Sequence, residues 1–394
     1  MDVYNQPNTV KISHVTTSEP HLLVAFPMTC DLPALRFCIR QPFMVYIGNA
    51  NEQVDFIYVT EQPVRYEITS IETQQRNFEH DFEFGNAFLG RSWRQVNAET
   101  DQWQRVDQHR PDIVIHVINF REYFAFKEHF DDREGDIANM IEIMRRLQHP
   151  NIANLVDCLR DEDNFYIITE FGGEDLYNVL SNPNRTCLHN QGDRRAVFIQ
   201  IVLALAYLQY HGIYHQNLSM ENIVFDVTTG AVKVTGFGMA TLIPRMTLDQ
   251  IEEQMNIRGL GEQNPYPLMF PDAIGTELLI PLFILPHESR GALITISPEI
   301  FAGRPIDGYG ADAWALGVIL FFLMEERLPW TQALPSDFDF VLNSDRVELT
   351  QVLANAPLSQ NGKELLCDML SAVNPANRLV ANAILEHAWI NEAI

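Results

Sequence analysis

The sequence predicts an α+β fold, with strands gathered in its N-terminal part and helices in its C-terminal part. Three observations predict it. Residues 1–78 alternate apolar and polar side chains in short bursts, the period of half-buried strands. Residues 113–118, Ile-Val-Ile-His-Val-Ile, form a β-branched run of the kind a buried strand carries. After Gly172-Gly173, helical spacing dominates.

Taken in order, residues 10–15, 21–26, 43–47, 56–59 and 66–71 read as strands, with a turn at Asn49-Ala50-Asn51. They make either a small β module or a β extension of the next domain. A further strand runs from Phe82 into Leu89-Gly90, and a Gln- and Asp-rich hairpin loop follows. Residues 137, 140, 141, 144 and 147 are apolar at helical spacing, and His149-Pro150-Asn151 ends that helix. Residues 165–171 form another buried strand. Helices are predicted over 175–180, 196–210, 312–324, 362–370 and 381–389. No internal repeat or low-complexity tract is visible.

Composition narrows the function. Lys+Arg is 27 against Asp+Glu 52, a formal charge of −25. That excess disfavours nucleic acid and anionic membrane as partners. The expected partner is protein, and the acidic surface favours a basic one. Five cysteines, at 30, 38, 158, 187 and 367, contain no C-x-x-C pair. Reduced thiols and a cytoplasmic location fit, with the nucleus as the alternative. The N-terminus shows no basic-then-apolar pattern of a signal peptide. The apolar runs at 278–285 and 314–324 fall short of the ~20 residues that span a bilayer.

Several segments then fall into a known order. Residues 113–119 read Ile-Val-Ile-His-Val-Ile-Asn, and 166–171 read Tyr-Ile-Ile-Thr-Glu-Phe. Residues 215–222 read His-Gln-Asn-Leu-Ser-Met-Glu-Asn, and 236–238 read Gly-Phe-Gly. Ser297-Pro298-Glu299, 312–318, 374–378 and 385–390 complete the series. Over about residues 80–394 the chain resembles the eukaryotic-type protein kinases, Ser/Thr-like, whose motifs include V-A-I-K, H-R-D-L-K-x-x-N, D-F-G and A-P-E. The resemblance implies a bilobal fold: a β-rich small lobe at 79–171 and a helical large lobe at 172–394. A long activation segment would occupy 236–299. The extra β-rich segment 1–78 precedes both.

The resemblance also implies structural roles. Glu299 and Arg378 would form a buried bidentate pair. Asp312 would accept hydrogen bonds from the backbone around His215. Met144, Leu155, His215 and Phe237 would stack as an apolar spine. Gly90, Val114, Thr169, Glu170, Asn222 and Val224 would be what is left of a nucleotide pocket.

The positions that carry phosphoryl transfer have changed. Gly90 takes the place of the first glycine of the phosphate cradle, with Ser92 and Gln95 replacing the next two. The alternative register Gly85-x-Ala87-x-x-Gly90 is broken as well. His116 replaces the strand lysine and Met140 its helix glutamate; Glu142 lies about 200° further round the helix. Asn217 replaces the proposed base, and an amide takes up no proton usefully. Gly236 replaces the aspartate that would hold magnesium. Gln216, Ser219 and Gly291-Ala292 depart from the pattern too.

The sequence therefore predicts a catalytically impaired kinase-like protein, a pseudokinase acting as scaffold or allosteric regulator. No cofactor is expected. The protein partner would be a basic one or an active kinase. The alternative is an active atypical Ser/Thr kinase using Mg-ATP, rebuilt around His116 and Glu142 or around acidic residues of the 236–299 segment. A third reading makes the N-terminal β module the binding element.

Overall fold

The computed structural model describes residues 35–47, 50–60, 62–72, 86–107, 109–127, 137–242, 293–302, 308–370 and 378–392. It also describes the short strands Val10–Lys11, Ser13–His14, Arg245–Met246, Ala273–Ile274 and Glu277–Leu279. The chain divides into two compact units, Met1–Asp132 with Ala153–Phe171, and Arg133–Ile152 with Gly172–Ile394.

The first unit is built on one sheet of eleven strands. In chain order these are β1 (Val10–Lys11), β2 (Ser13–His14), β3 (Arg36–Phe37), β4 (Ile39–Ile47), β5 (Ala50–Tyr58) and β6 (Val64–Glu72). They continue as β7 (Asn86–Asn97), β8 (Gln102–Arg105), β9 (Ile113–Asn119), β10 (Leu155–Arg160) and β11 (Asn164–Glu170). The hydrogen-bonded order is β2-β4-β5-β6-β7-β9-β11-β10-β3. Only Cys38 separates β3, at one end of that order, from β4, near the other. The sheet therefore closes on itself. β3 runs parallel to β10, pairing Arg36 with Leu159 and Phe37 with Arg160, while β4 runs antiparallel to β5. At the seam the Cys38 amide donates to the Arg160 carbonyl at 2.7 Å. The Arg36 guanidinium grips Asp157 at 2.5 and 2.6 Å, and the Tyr66 hydroxyl donates to the same carboxylate at 2.9 Å.

A small closed barrel is filled by its own inward side chains. Here Cys38, Ile57, Tyr66, Ile68, Ile113, Ile115, Leu159, Tyr166 and Ile168 form that core, supplied by strands all round the closure. The period of two puts Val114, His116 and Ile118 on the opposite face of β9. Burial pushes the Cys38 thiol up to about 12, so it stays protonated.

Predicted strands 43–47 and 66–71 fall within β4 and β6, and 56–59 covers the end of β5 and one residue beyond it, while 21–26 lies outside the described residues. The expected boundary at 78 also lies outside them, yet β6 and β7 on either side of it pair directly. The N-terminal strands are thus an extension of the sheet and not a module apart. A second departure concerns helix α2 (Ile137–Arg146), expected within a small lobe spanning 79–171. It belongs to the second unit, because it packs on the single turn Phe237–Met239.

The second unit is helical. α1 (Phe120–Lys127) belongs to the barrel; α3 (Leu176–Ser181) and α4 (Gln191–Tyr210) follow the Gly172-Gly173 break. α5 (Pro298–Phe301) precedes α6 (Gly308–Glu325), and α7 (Phe338–Ser344), α8 (Arg346–Val352), α9 (Gln360–Leu370), α10 (Ala381–Glu386) and α11 (Ala388–Asn391) complete the order. Short hairpin strands Ile223–Phe225 and Val232–Val234 sit beside the loop that starts at His215. α6 is apolar all round because it is the buried axis of the unit, with α4 and α9 packed on it. By length and composition alone it could cross a membrane, but most of it is buried inside the protein.

Candidate functional site

In the loop from His215 to Asn222, one acid fixes the backbone. Asp312, near the start of α6, accepts the His215 amide at 2.8 Å and the Gln216 amide at 2.9 Å, one on each carboxylate oxygen. Gln216 is held at φ 62, a left-handed conformation that costs a side chain about 1–2 kcal/mol. Two charge-assisted bonds offset that cost. Its side-chain amide donates to the Thr241 hydroxyl at 2.5 Å.

His215 is fully buried. Its Nε2 meets the Thr235 carbonyl at 2.9 Å, which can only accept, and its Nδ1 meets the Asn217 amide at 3.3 Å, which can only donate. The ring is therefore the neutral Nε2–H tautomer. Desolvation by burial lowers its pKa to about 4. The Phe237 ring lies 5.1 Å away, edge to face.

Gly236 sits at φ 84, ψ 47, where glycine is favoured. A Cβ built there would lie 2.5, 2.6 and 2.8 Å from Cγ, Oδ1 and Nδ2 of Asn222. The Asn222 amide occupies the space any side chain at 236 would need. That amide is also turned inward, its Nδ2 donating to the Asn217 carbonyl at 2.9 Å. So the metal-binding carboxylate is absent, and the volume it would fill is taken by the neutral amide that would share the metal. Asn217 is buried in the same loop.

Met140 and Met144 lie on the buried face of α2, with Ile137, Ile141 and Ile143. Glu142 is exposed and pairs with Arg146 one turn on, so it is committed to its own helix. The reading that rebuilds a catalytic site around Glu142 needs this exposed carboxylate to leave its partner on the helix. Asn139 was missed in the sequence. Its Nδ2 donates to the Ala240 carbonyl at 2.9 Å, tying α2 to the turn after Gly236. A lone asparagine between apolar positions gave no signal. Val224 is buried between Asp175 and Lys233, in the strand after Asn222.

In the barrel, Val114 pairs with Leu89 and Thr169, and His116 with Ala87 and Ile167. Burial lowers the His116 pKa to about 4, so the lysine's replacement is uncharged at neutral pH. Thr169 is buried. The Glu170 carboxylate accepts both the backbone amide and Nδ2 of Asn154, at 3.2 and 2.9 Å. Leu155 opens β10 opposite Thr169.

Gly90 is a correction. It lies inside the unbroken strand β7, paired with Ile68 on one side and Ile113 on the other, and not in a turn with free amides. A Cβ on it would lie 2.8 Å from Ile115 Cδ1 and 2.9 Å from both Ile113 Cγ1 and the Glu67 carbonyl. Barrel packing demands the glycine. The Ser92 amide two residues on already donates to the Asp112 carboxylate at 2.8 Å. The connection 73–85, with Gly85, lies outside the described residues, as do Gly291-Ala292 and all but the start of the 278–285 run.

The structural positions keep their partners. Arg378 donates through both terminal nitrogens to Glu299, at 2.8 and 3.2 Å, and to the Gly310 carbonyl at 2.8 Å. It also lies 4.9 Å from the centre of the Trp314 ring. Burial raises the Glu299 pKa, but the Arg378 charge and its hydrogen bonds outweigh that, and the net shift is downward.

Taken one unit at a time, the residues do not fit their share of a magnesium–triphosphate. In the barrel a neutral imidazole stands for the strand cation. In the helical unit the carboxylate at 236 is missing, and the Asn222 amide, bonded to the Asn217 carbonyl, lies in its space.

The protein kinase domain model matches residues 115–255 and 287–390, well over half of the chain. The chain belongs to the eukaryotic-type protein kinase superfamily. It is 28% identical to sperm motility kinase Z of Mus musculus over 254 residues, 64% of this chain and 41% of that protein. It is 26% identical to a carbon catabolite-derepressing protein kinase of Candida albicans over 262 residues, 66% of this chain and 35% of that one. With CBL-interacting serine/threonine-protein kinase 13 of Arabidopsis thaliana the identity is 27% over 260 residues, 66% of this chain and 43% of the relative. The chain thus spans less than half the length of these relatives. The match begins at Ile115, within β9.

Proposed function

We propose that this protein is a pseudokinase, a kinase fold that acts as scaffold or allosteric regulator through protein contacts. The observation that carries the reading is the crowding at Gly236, where the Asn222 amide fills the space of the missing carboxylate. Loss of an acid alone leaves a hole that water or a metal's hydration shell fills. Loss of the acid with a neighbouring amide in its space leaves no place ready for the metal until Asn222 swings away. The neutral His116, the apolar Met140 and the amide at Asn217 support the same conclusion. No nucleotide cofactor is required in this reading. The expected partner is protein and not nucleic acid or membrane, in keeping with the charge of −25, and the expected location is the cytoplasm, with the nucleus as the alternative.

Two measurements test it together. Thermal unfolding with ATP, with and without Mg²⁺, should show no shift. A ligand at 100 times its Kd would stabilise by about 2.7 kcal/mol, which is readily resolved. Transfer of labelled γ-phosphate to the protein itself or to a basic peptide should stay at background. Metal-dependent transfer that disappears in Asn222→Ala would sink the proposal and establish an atypical active kinase.

A further inference from the structure

Among the described side chains, helix α7 buries Phe340 and helix α8 buries Leu349, and each presents apolar side chains on the opposite face. On α7, Phe340 is buried, with its ring centre 5.4 Å from Trp330 and 6.2 Å from Trp314. Phe338 is two positions before it, about 200° around the helix, and is 77% exposed. Val341, three residues beyond Phe338 and on its side of the helix, is 52% exposed. On α8, Leu349 is fully buried and Val347, again two positions before, is 66% exposed. The two helices pack on each other. Single exposed apolar residues are ordinary, but a phenylalanine and two valines on two adjoining seven-residue helices make a ridge.

The charge around this ridge is mainly acidic. Asp339 and Asp345 are exposed and Glu348 is half-buried. The one base on these two helices, Arg346, is held by Asp368 at 2.5 Å. An apolar ridge beside Asp339, Glu348 and Asp345, whose carboxylate also caps α8 through the Val347 and Glu348 amides, matches a partner with an apolar stripe flanked by Lys or Arg.

We infer that the α7–α8 ridge is a docking surface for a basic amphipathic helix of a partner protein. The inference rests on the scaffold reading above and supplies a place and a chemistry for the contact. Phe338 and Val341 enter the apolar stripe, and Asp339, Asp345 and Glu348 meet the flanking cations. Phe338 is the anchor, since aromatic residues at the centre of a contact carry most of its energy.

The test uses the full chain and a labelled helical peptide with leucines at helical spacing and lysines elsewhere. Phe338→Ser leaves the charge unchanged and removes an exposed side chain, so its unfolding midpoint should match the parent's. Peptide affinity should fall about tenfold in Phe338→Ser. Asp339→Asn combined with Glu348→Gln should also weaken it and flatten its salt dependence. Equal affinity of the parent and Phe338→Ser means attraction by charge alone and overturns the inference. So does absence of binding. So does dimerisation of the parent that Phe338→Ser abolishes, which would make the occupant a second copy. Phosphoryl transfer by the parent would sink the scaffold reading without moving the peptide result, so the two failures are distinguishable.

Discussion

Two groups of positions in the helical unit, both defined by kinase-like motifs, have met opposite fates. Asp312, Glu299 and Arg378 keep their charge, and each charge has a partner inside the protein. Gly236 and Asn217 have lost theirs, and the neighbouring amide of Asn222 has closed over the space. The difference lies in where the partner sits. A structural acid answers to a backbone amide or a guanidinium that folding has already buried, so losing it strands a charge or a donor. A catalytic acid answers to a ligand. Losing it strands nothing in the empty protein, and an adjacent side chain can relax into the volume.

The comparison breaks first at Arg378. Its replacement by Ala leaves the Glu299 carboxylate buried without a counter-charge and frees the Gly310 carbonyl. We expect a loss of about 3–5 kcal/mol in denaturant unfolding. A loss below about 1 kcal/mol would mean that the structural charges are as dispensable as the catalytic ones.

Next comes acid. His215 is neutral in the fold with a pKa lowered from 6.5 to about 4 by burial. A folded value below the unfolded one means that the unfolded chain binds the proton first. The stability from this group is complete above pH 6.5 and is lost as pH falls towards 4. The full effect is about 3 kcal/mol. Half-buried His116, lowered in the same direction by desolvation, adds to the slope. Stability measured from pH 7.5 down should fall through this window, before ordinary carboxylates titrate. A flat profile there would show that water reaches the rings.

At Gly236 the expectation reverses a catalytic intuition. Restoring an aspartate there should cost stability and restore no phosphoryl transfer. The backbone at φ 84 and the approach of Asn222 to 2.5 Å both oppose a side chain. We expect a loss of about 1–3 kcal/mol. In Gly236→Asp with Asn222→Ala, part of the loss should return, and a double-mutant cycle would measure the coupling. Additive costs would mean that the two residues do not compete for the space.

How much of this was legible follows from how local each signal is. The α2 periodicity stood out because its apolar stripe is contained in ten residues. The Glu299–Arg378 pair was legible through the motif order alone, since nothing near either residue names the other. Barrel closure was not legible at all. It rests on a two-residue strand and on Arg36 and Asp157, 121 positions apart. Gly90 was misread because a glycine in a β-rich stretch serves close packing as readily as phosphate approach. At Gly236 the missing charge is legible from the motif, whereas the filled volume depends on where the Asn222 side chain packs.

The smallest effect completes the comparison, at Glu142. It lies two residues from the apolar Met140 and is the one acid of α2. Both it and its partner Arg146 are about half exposed, at 56% and 50%. Such a pair one turn apart contributes about 0.3–0.5 kcal/mol. Glu142→Gln should therefore shift the unfolding midpoint barely, and less still at high salt. It should also leave any nucleotide response where it was. A strong stability loss, or a change in ATP binding, would place this carboxylate in a site its exposed position denies it. The surface pair would then belong with Asp312 and Arg378, as a charge the fold depends on.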